Sequence, residues 1–348
     1  MTDTRPIPSV ELPYAYGLPE VQGTVRRAPE DFQVDEDLGF EPAGEGEHVF
    51  LLIRKRNANT DWVAGRLGRL AGVKPADVGY AGLKDRQAVT TQWFSVNLAG
   101  RPEPDWSVLE GDNIGILAVR RHSRKLRKGA LRGNRFVLVI RDLQGDRASL
   151  EERLRRIAQE GVPNYFGAQR FGIGGGNLAR AQGLFSGSLQ ERNRHKRGLY
   201  LSAARSMLFN EVLAQRVRAG TWAQPLAGDA MVLEGTHSFF VIEEVDAETR
   251  RRCAAMDIHP SGPLWGAGEL HTRGEARRLE ESVLAPLEFW RDGLERFGLT
   301  QERRPLRLKV EELAWEFPNE RELRVSFRLP AGAYATTVLR EMIHIGGE

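Results

Sequence analysis

Apolar residues change their spacing several times along this chain, and each change marks a predicted element. Between Glu322 and Leu329 they alternate with polar ones, the period of two expected of a half-buried strand. Gly133–Arg141 carries a continuous run, Phe-Val-Leu-Val-Ile, and predicts the clearest strand in the chain. Shorter runs predict strands over 48–54, 78–81, 91–96, 238–242 and 306–311, while 23–40 reads as a strand punctuated by Pro29 and acids. Trp62, Val63, Leu67 and Leu70 share a helical face, which predicts a helix to about Ala71 with Asn59 or Thr60 as N-cap. Further helices are predicted over 149–159, much of 177–218, 273–297 and 335–343. The segment His259–Gly266, with two prolines and two glycines, reads as turns.

Strands dominate up to about 158, the texture changes at Pro163, and strands return near 306. One arrangement that fits this layout is an α+β protein whose strand-rich first domain, to about 158, resumes after 305 with a mixed segment inserted between. A length of 348 residues favours more than one domain. Hydrophobic residues at 41% and charged ones at 28% exclude a disordered chain. No stretch approaches the roughly 20 apolar residues of a membrane span, and the first residues lack the apolar core of a signal peptide. The single cysteine, Cys253, excludes a disulfide framework or a thiolate metal cluster, so a cytoplasmic compartment is expected.

The net charge of +3 says little by itself, because nucleic-acid binding depends on clustering. Clusters are present. Arg120–Lys128 holds six Arg or Lys in nine positions with no acid inside the run, and Arg192–Arg197 holds four in six. Either fits a solvated face or a phosphate contact. Gly172–Gly176 fails the dinucleotide pattern at Asn177, and no P-loop Lys follows. The seven histidines show no metal-ligand spacing, and no nucleophile elbow appears. The loop Gly79-Tyr-Ala-Gly-Leu-Lys-Asp-Arg86 sets an acid between two cations in a tight connection between predicted strands. Asp85 could serve as a nucleophile or base, but by local chemistry alone a surface hairpin turn with local salt bridges is the favoured reading.

Five segments in order resemble the TruD family of tRNA pseudouridine synthases. They are Pro29-Glu-Asp-Phe32, Tyr80-Ala-Gly-Leu-Lys-Asp-Arg-Gln-Ala-Val-Thr-Thr-Gln-Trp93, Gly133-Asn-Arg-Phe136, Pro163-Asn-Tyr-Phe-Gly-Ala-Gln-Arg-Phe-Gly172 and Leu329-Pro-Ala-Gly-Ala-Tyr-Ala-Thr-Thr-Val-Leu-Arg340. The resemblance implies a pseudouridine synthase catalytic domain with a mixed, largely antiparallel sheet over 1–158 and 306–348. An inserted α/β domain over 159–305 would interrupt it. The implied activity is isomerisation of uridine to pseudouridine in tRNA, typically at position 13, with neither cofactor nor metal. The implied partner is the tRNA substrate, with no membrane and no obligate protein partner, so a monomer is expected.

Matched residue by residue, Asp85 takes the place of the catalytic aspartate, which either attacks C1′ or removes the 2′ proton. Phe32 matches an aromatic that contacts the flipped nucleotide, and Asn134 a polar contact to the uracil edge. Tyr334 matches an aromatic against the base; the family pattern has Phe there, whereas Tyr is usual in other pseudouridine synthase families. Lys84, Arg124, Lys125 and Arg127 lie beside or between these motifs and are candidates for the RNA backbone. Two other readings remain: a noncatalytic RNA-binding or chaperone protein on the same fold, and a nucleoside hydrolase, which the lack of a paired acid near Asp85 disfavours.

Overall fold

The alternating segment before Leu329 and the apolar run after Gly133 lie side by side in the structure, a computed structural model that describes residues 12–346. The chain starts with β1 (Gln22–Thr24), β2 (Phe32–Asp37), β3 (His48–Arg56), α1 (Thr60–Leu70), β4 (Val78–Tyr80), β5 (Val89–Asn97), β6 (Ile114–His122), β7 (Gly133–Gln144) and α2 (Arg147–Glu160). It continues with β8 (Val162–Pro163), α3 (Gly176–Ser186), α4 (Arg194–Arg218), β9 (Ala230–Leu233), β10 (Phe239–Val241), α5 (Ala247–Ala254), β11 (Ile258–Leu264), α6 (Gly274–Leu284), α7 (Glu288–Arg296), β12 (Glu302–Pro305) and β13 (Arg307–Leu308). β14 (Glu311–Asn319), β15 (Glu322–Pro330), α8 (Ala335–Met342) and β16 (His344–Ile345) close it.

Two compact units result. The first comprises residues 20–149, 310–332 and 343–346, and the second 12–19, 150–309 and 333–342. The expected boundaries were 158/159 and 305/306. The chain divides instead at 149/150 and 309/310, and two short segments join the second unit. α2 explains much of this. Leu150, Leu154 and Ile157 are buried, and Arg153 donates to the carbonyls of Tyr16, Gly17, Leu18 and Glu341. One side chain thereby ties 12–19 and 333–342 to the helix that follows β7.

In the first unit one mixed sheet runs in the order β14-β15-β7-β2-β5-β3-β6, with β4 on β5 and β1 against β7 and β16. The β2–β5 and β1–β16 pairs are parallel and the others antiparallel. Alternation decides which side of β15 is buried: Leu323, Val325, Phe327 and Leu329 are all 2% exposed or less. Gly133 is required where β7 starts, since a Cβ there would collide with the Leu329 carbonyl oxygen. On the other flank Val63 and Leu67 of α1 pack against Val49, Leu51, Ile53 and Phe94. Trp62, expected on that face, is 45% exposed instead, and the Arg66 guanidinium covers its ring at 5.2 Å.

The second unit is built around α4, whose Ala203, Ala204, Met207, Leu208, Phe209 and Leu213 are fully buried. Asn193 caps it by accepting from the His195 and Lys196 amides. Two expectations change here. Ile258–Leu264, read as turns, is a strand: its prolines lack donors, but their carbonyls remain acceptors, and the segment pairs with β9 on one side and β12 on the other. The helix expected over 273–297 is broken near Pro286 into α6 and α7. β6 and β9 were not anticipated, and the first basic run starts inside β6.

Candidate active site

Asp85 lies in the connection between β4 and β5, which is tied down at successive residues. Gln92 Nε2 donates to the Gly82 carbonyl at 3.1 Å. Thr60 Oγ1 accepts from the Lys84 amide at 3.0 Å and donates to Gln92 Oε1 at 2.9 Å. Lys55 Nζ donates to the Asp85 carbonyl at 3.2 Å and to the Ala58 carbonyl at 2.7 Å. The Asn57 amide donates to the Ala88 carbonyl at 3.1 Å. Thr60 is the first residue of α1, and Asn59 before it makes no side-chain cap bond. The helix start thus serves the loop as well as itself. Anchors of this kind from β3, α1 and β5 hold a short loop in one conformation before any substrate binds.

The Asp85 carboxylate itself remains open to solvent, with 42% of the side chain exposed, and pairs with Arg26 Nη2 at 2.9 Å. The Arg26 guanidinium also lies 4.0 Å from the centre of the Phe32 ring, within cation–π range. Its backbone has φ +59°, a left-handed conformation that costs a non-glycine residue on the order of 1 kcal/mol or more. Strain at this position accompanies a side chain that bridges the loop and β2.

Phe32, Glu36 and Asn134 occupy one face of the sheet, because Glu36 and Asn134 are cross-strand partners and Phe32 lies four residues before Glu36. Phe32 is 2% exposed and packs edge-to-face on Phe136, which stacks on Phe327. Its ring is a buried platform under Arg26 rather than an open stacking surface. Asn134 is half-buried, and its Oδ1 is a buried acceptor with no partner among the described residues. An unfilled acceptor of that kind is costly unless a ligand donor completes it.

Tyr334 belongs to the second unit. Its oxygen accepts from Arg170 Nη2 at 2.6 Å, and its ring meets Phe166 edge-on. The 163–172 motif is built into that unit by Asn210, whose amide bonds both the N–H and the carbonyl of Phe166 at 2.9 Å. Arg304 lies 4.1 Å over Phe166 and is pushed down to about 10, chiefly by burial, with nearby Arg170 adding to the effect.

Lys84 requires a correction as an RNA contact. Its Nζ pairs with Glu36 at 2.6 Å, the lysine side chain is 6% exposed, and the Glu36 side chain is fully buried. Glu36 also accepts from the Trp93 amide at 3.1 Å, so this ion pair locks the loop. The basic run is likewise uneven. Arg124 and Arg127 are exposed, Lys125 bonds the Ala76 carbonyl, and Leu126 is buried. Arg121 pairs with Glu103, an acid outside the run. Lys125, Arg127 and Lys128 line a cleft of about 670 Å³ together with Asp61 and Tyr80. In it Tyr80 donates to Asp61 at 2.6 Å and is pushed up to about 12, first by burial and then by that bond.

Sequence reading missed three residues that hold Asp85 or its loop: Arg26 on the carboxylate, Lys55 on the carbonyl, and Glu36 on the neighbouring Lys84. Two carried a usable signal. Lys55 continues the inward alternation Val49, Leu51, Ile53, and Glu36 continues Phe32, Val34, so each is a charge at a core position of a strand. Arg26 had none, because nothing local pairs it with a residue 59 positions away.

Known proteins resemble this chain over nearly its whole length. The family model for tRNA pseudouridine synthase D (TruD) matches residues 11–179 and 176–342. The tRNA pseudouridine synthase D of Nitrosococcus oceani is 55% identical over 334 residues, covering 95% of this chain and 93% of that protein. The enzyme of the same name from Methylococcus capsulatus is 54% identical over 333 residues, covering 96% and 94%. A crystal structure of a protein from Methanosarcina mazei that carries the family name superposes with a TM-score of 0.71 over 95% of each chain, at 22% identity, and shares the fold.

Proposed function

Because this chain belongs to the TruD family of tRNA pseudouridine synthases, we propose that it isomerises uridine to pseudouridine in tRNA, at position 13, with Asp85 as the catalytic group. The observation that carries this reading is the anchored loop that presents the Asp85 carboxylate to solvent beside Arg26. In the reaction the C1′–N1 bond breaks, the uracil turns, and a C1′–C5 bond forms as C5 loses its proton and N1 gains one. Electrons and atoms balance within the substrate. The protein's work is to hold the base, activate C1′ and move a proton.

Asp85 acts on the ribose, either by adding to C1′ or by taking the 2′ proton; both routes need a carboxylate in a fixed direction. Arg26 neutralises that carboxylate while it waits, and Phe32 acts as the platform beneath Arg26. A flipped uracil meets the guanidinium plane, a surface on which bases stack. Asn134 Oδ1 accepts from the uracil N3–H, which fills the acceptor left open in the protein. Tyr334 is the aromatic against the base. One lone pair of its oxygen is taken by Arg170, so its proton remains to donate.

Arg124 and Arg127, exposed on the basic run, hold backbone phosphates. The segment from 150 to 309 serves as an insertion within the catalytic domain and orients the tRNA. The enzyme works in the cytoplasm as a monomer without a cofactor. No helix among the described residues is long and apolar enough to cross a membrane.

Incubating the protein with unmodified tRNA and mapping pseudouridine chemically tests the reading. Product at position 13 with the wild type and none with Asp85→Asn supports it. Release of free uracil would point to a hydrolase, and binding without product to a noncatalytic RNA-binding protein.

A further inference from the structure

Lys55 is fully buried on β3, yet the acceptors its ammonium reaches are two neutral main-chain carbonyls, those of Ala58 and Asp85. A buried lysine bonded in this way is expensive to retain, and an apolar side chain of the same length would pack at lower cost. The charged groups that act on it are the Asp85 carboxylate, which attracts, and Lys84, which repels. Burial, with Lys84 acting in the same direction, outweighs the attraction of Asp85 and pushes the amine down to about 8. Its cross-strand neighbour Thr90 is also fully buried, with an Oγ1 that has no partner among the described residues, so this part of β3 and β5 is not a closed apolar core. The other anchors bond residues that flank Asp85. Lys55 reaches the main chain of Asp85 itself.

We propose that Lys55 is a positioning residue for the reaction: by holding the Asp85 carbonyl from beneath, its ammonium sets the direction in which the carboxylate projects towards the ribose. Turning that carbonyl would rotate the Asp85 Cα–Cβ bond, and a carboxylate displaced by about 1 Å can lose on the order of 100-fold in rate. This inference rests on the reading of Asp85 as the catalytic group.

The experiment compares wild type, Lys55→Met and Asp85→Asn in single-turnover pseudouridine formation on unmodified tRNA, with tRNA binding and thermal unfolding measured on the same preparations. Lys55→Met keeps the length of the side chain and removes the cation. Its maximal rate should fall about 100-fold, with tRNA affinity within about threefold of wild type and no loss of thermal stability. The wild-type rate should decline as pH rises through about 8, where the amine loses its proton, and Lys55→Met should lack that limb. A merely structural lysine would lower stability or binding and leave the pH profile of the remaining activity unchanged. Wild-type rates from Lys55→Met would overturn the proposal. So would a wild-type profile without a limb near pH 8, a result that needs no variant to fold. Activity retained by Asp85→Asn would remove the underlying reading instead, so the two failures are distinct.

Discussion

Replacing Glu341 with Gln measures what a buried carboxyl costs this protein. The side chain on α8 has no solvent exposure; one oxygen accepts from the Ala15 amide at 3.1 Å and the other from Arg340 at 2.7 Å. Burial outweighs both bonds and pushes the group from its ordinary 4.5 up to about 7. The folded state therefore keeps a proton that the unfolded chain releases between pH 4.5 and 7, so stability falls as pH rises through that window. At about 1.4 kcal/mol per pH unit the gap amounts to about 3 kcal/mol, present in full above pH 7. Gln carries no charge but loses one acceptor, at a cost of about 1 kcal/mol at every pH. The variant should thus be about 1 kcal/mol less stable than wild type at pH 4.5 and about 2 kcal/mol more stable at pH 8. Urea unfolding followed by circular dichroism over that range, at constant ionic strength, gives the difference, in which the other titrating groups largely cancel. A difference that stays flat with pH would refute the reasoning.

Two further perturbations test the proposed contacts with RNA. Arg26→Ala removes the partner of Asp85 and uncovers Phe32; single-turnover pseudouridine formation should slow by about 100-fold with a smaller change in tRNA affinity. Unchanged turnover would show that the pair is a surface salt bridge and nothing more. Neutralising Arg124, Lys125 and Arg127 together should weaken tRNA binding and flatten its salt dependence by about 0.7–0.9 in log–log slope for each phosphate no longer neutralised. Because Lys125 is held by the Ala76 carbonyl, the double variant Arg124→Gln, Arg127→Gln should reproduce most of that effect. An unmoved slope would exclude the run from the RNA interface.

Strand positions were largely legible because alternation reports directly which side chains face the core: β3, β5, β7 and β15 lie within a few residues of where the pattern predicts them. β11 was not, since two prolines in seven residues signal turns locally, and only its neighbours β9 and β12 make it a strand. The motif singled out Asp85 as the candidate, but its surroundings were only partly legible. Phe32 and Asn134 share one sheet face with Glu36, a convergence that follows from strand pairing and not from their spacing in the chain. Lys84, by contrast, looked like a free cation beside Asp85, and its true partner lies 48 residues earlier on a different strand. A local charge pattern cannot distinguish an exposed lysine from one consumed by a distant buried acid. The alternation of β2, extended to Glu36, contained that acid in advance.

The connectivity of the first unit has a consequence for the order in which it is made. β2, β3, β5, β6 and β7 leave the ribosome first and can pair at once, with Lys55, Thr60 and Glu36 already available to seize the Asp85 loop. β15, which covers the far side of β7, follows only after the whole stretch from 150 to 309 has been synthesised. At about 5–20 residues per second that delay leaves β7 as a bare hydrophobic edge for many seconds. The nascent chain therefore passes through a stage with its Asp85 loop assembled and its sheet unfinished, and that interval is where a chaperone or a wrong partner has its opportunity.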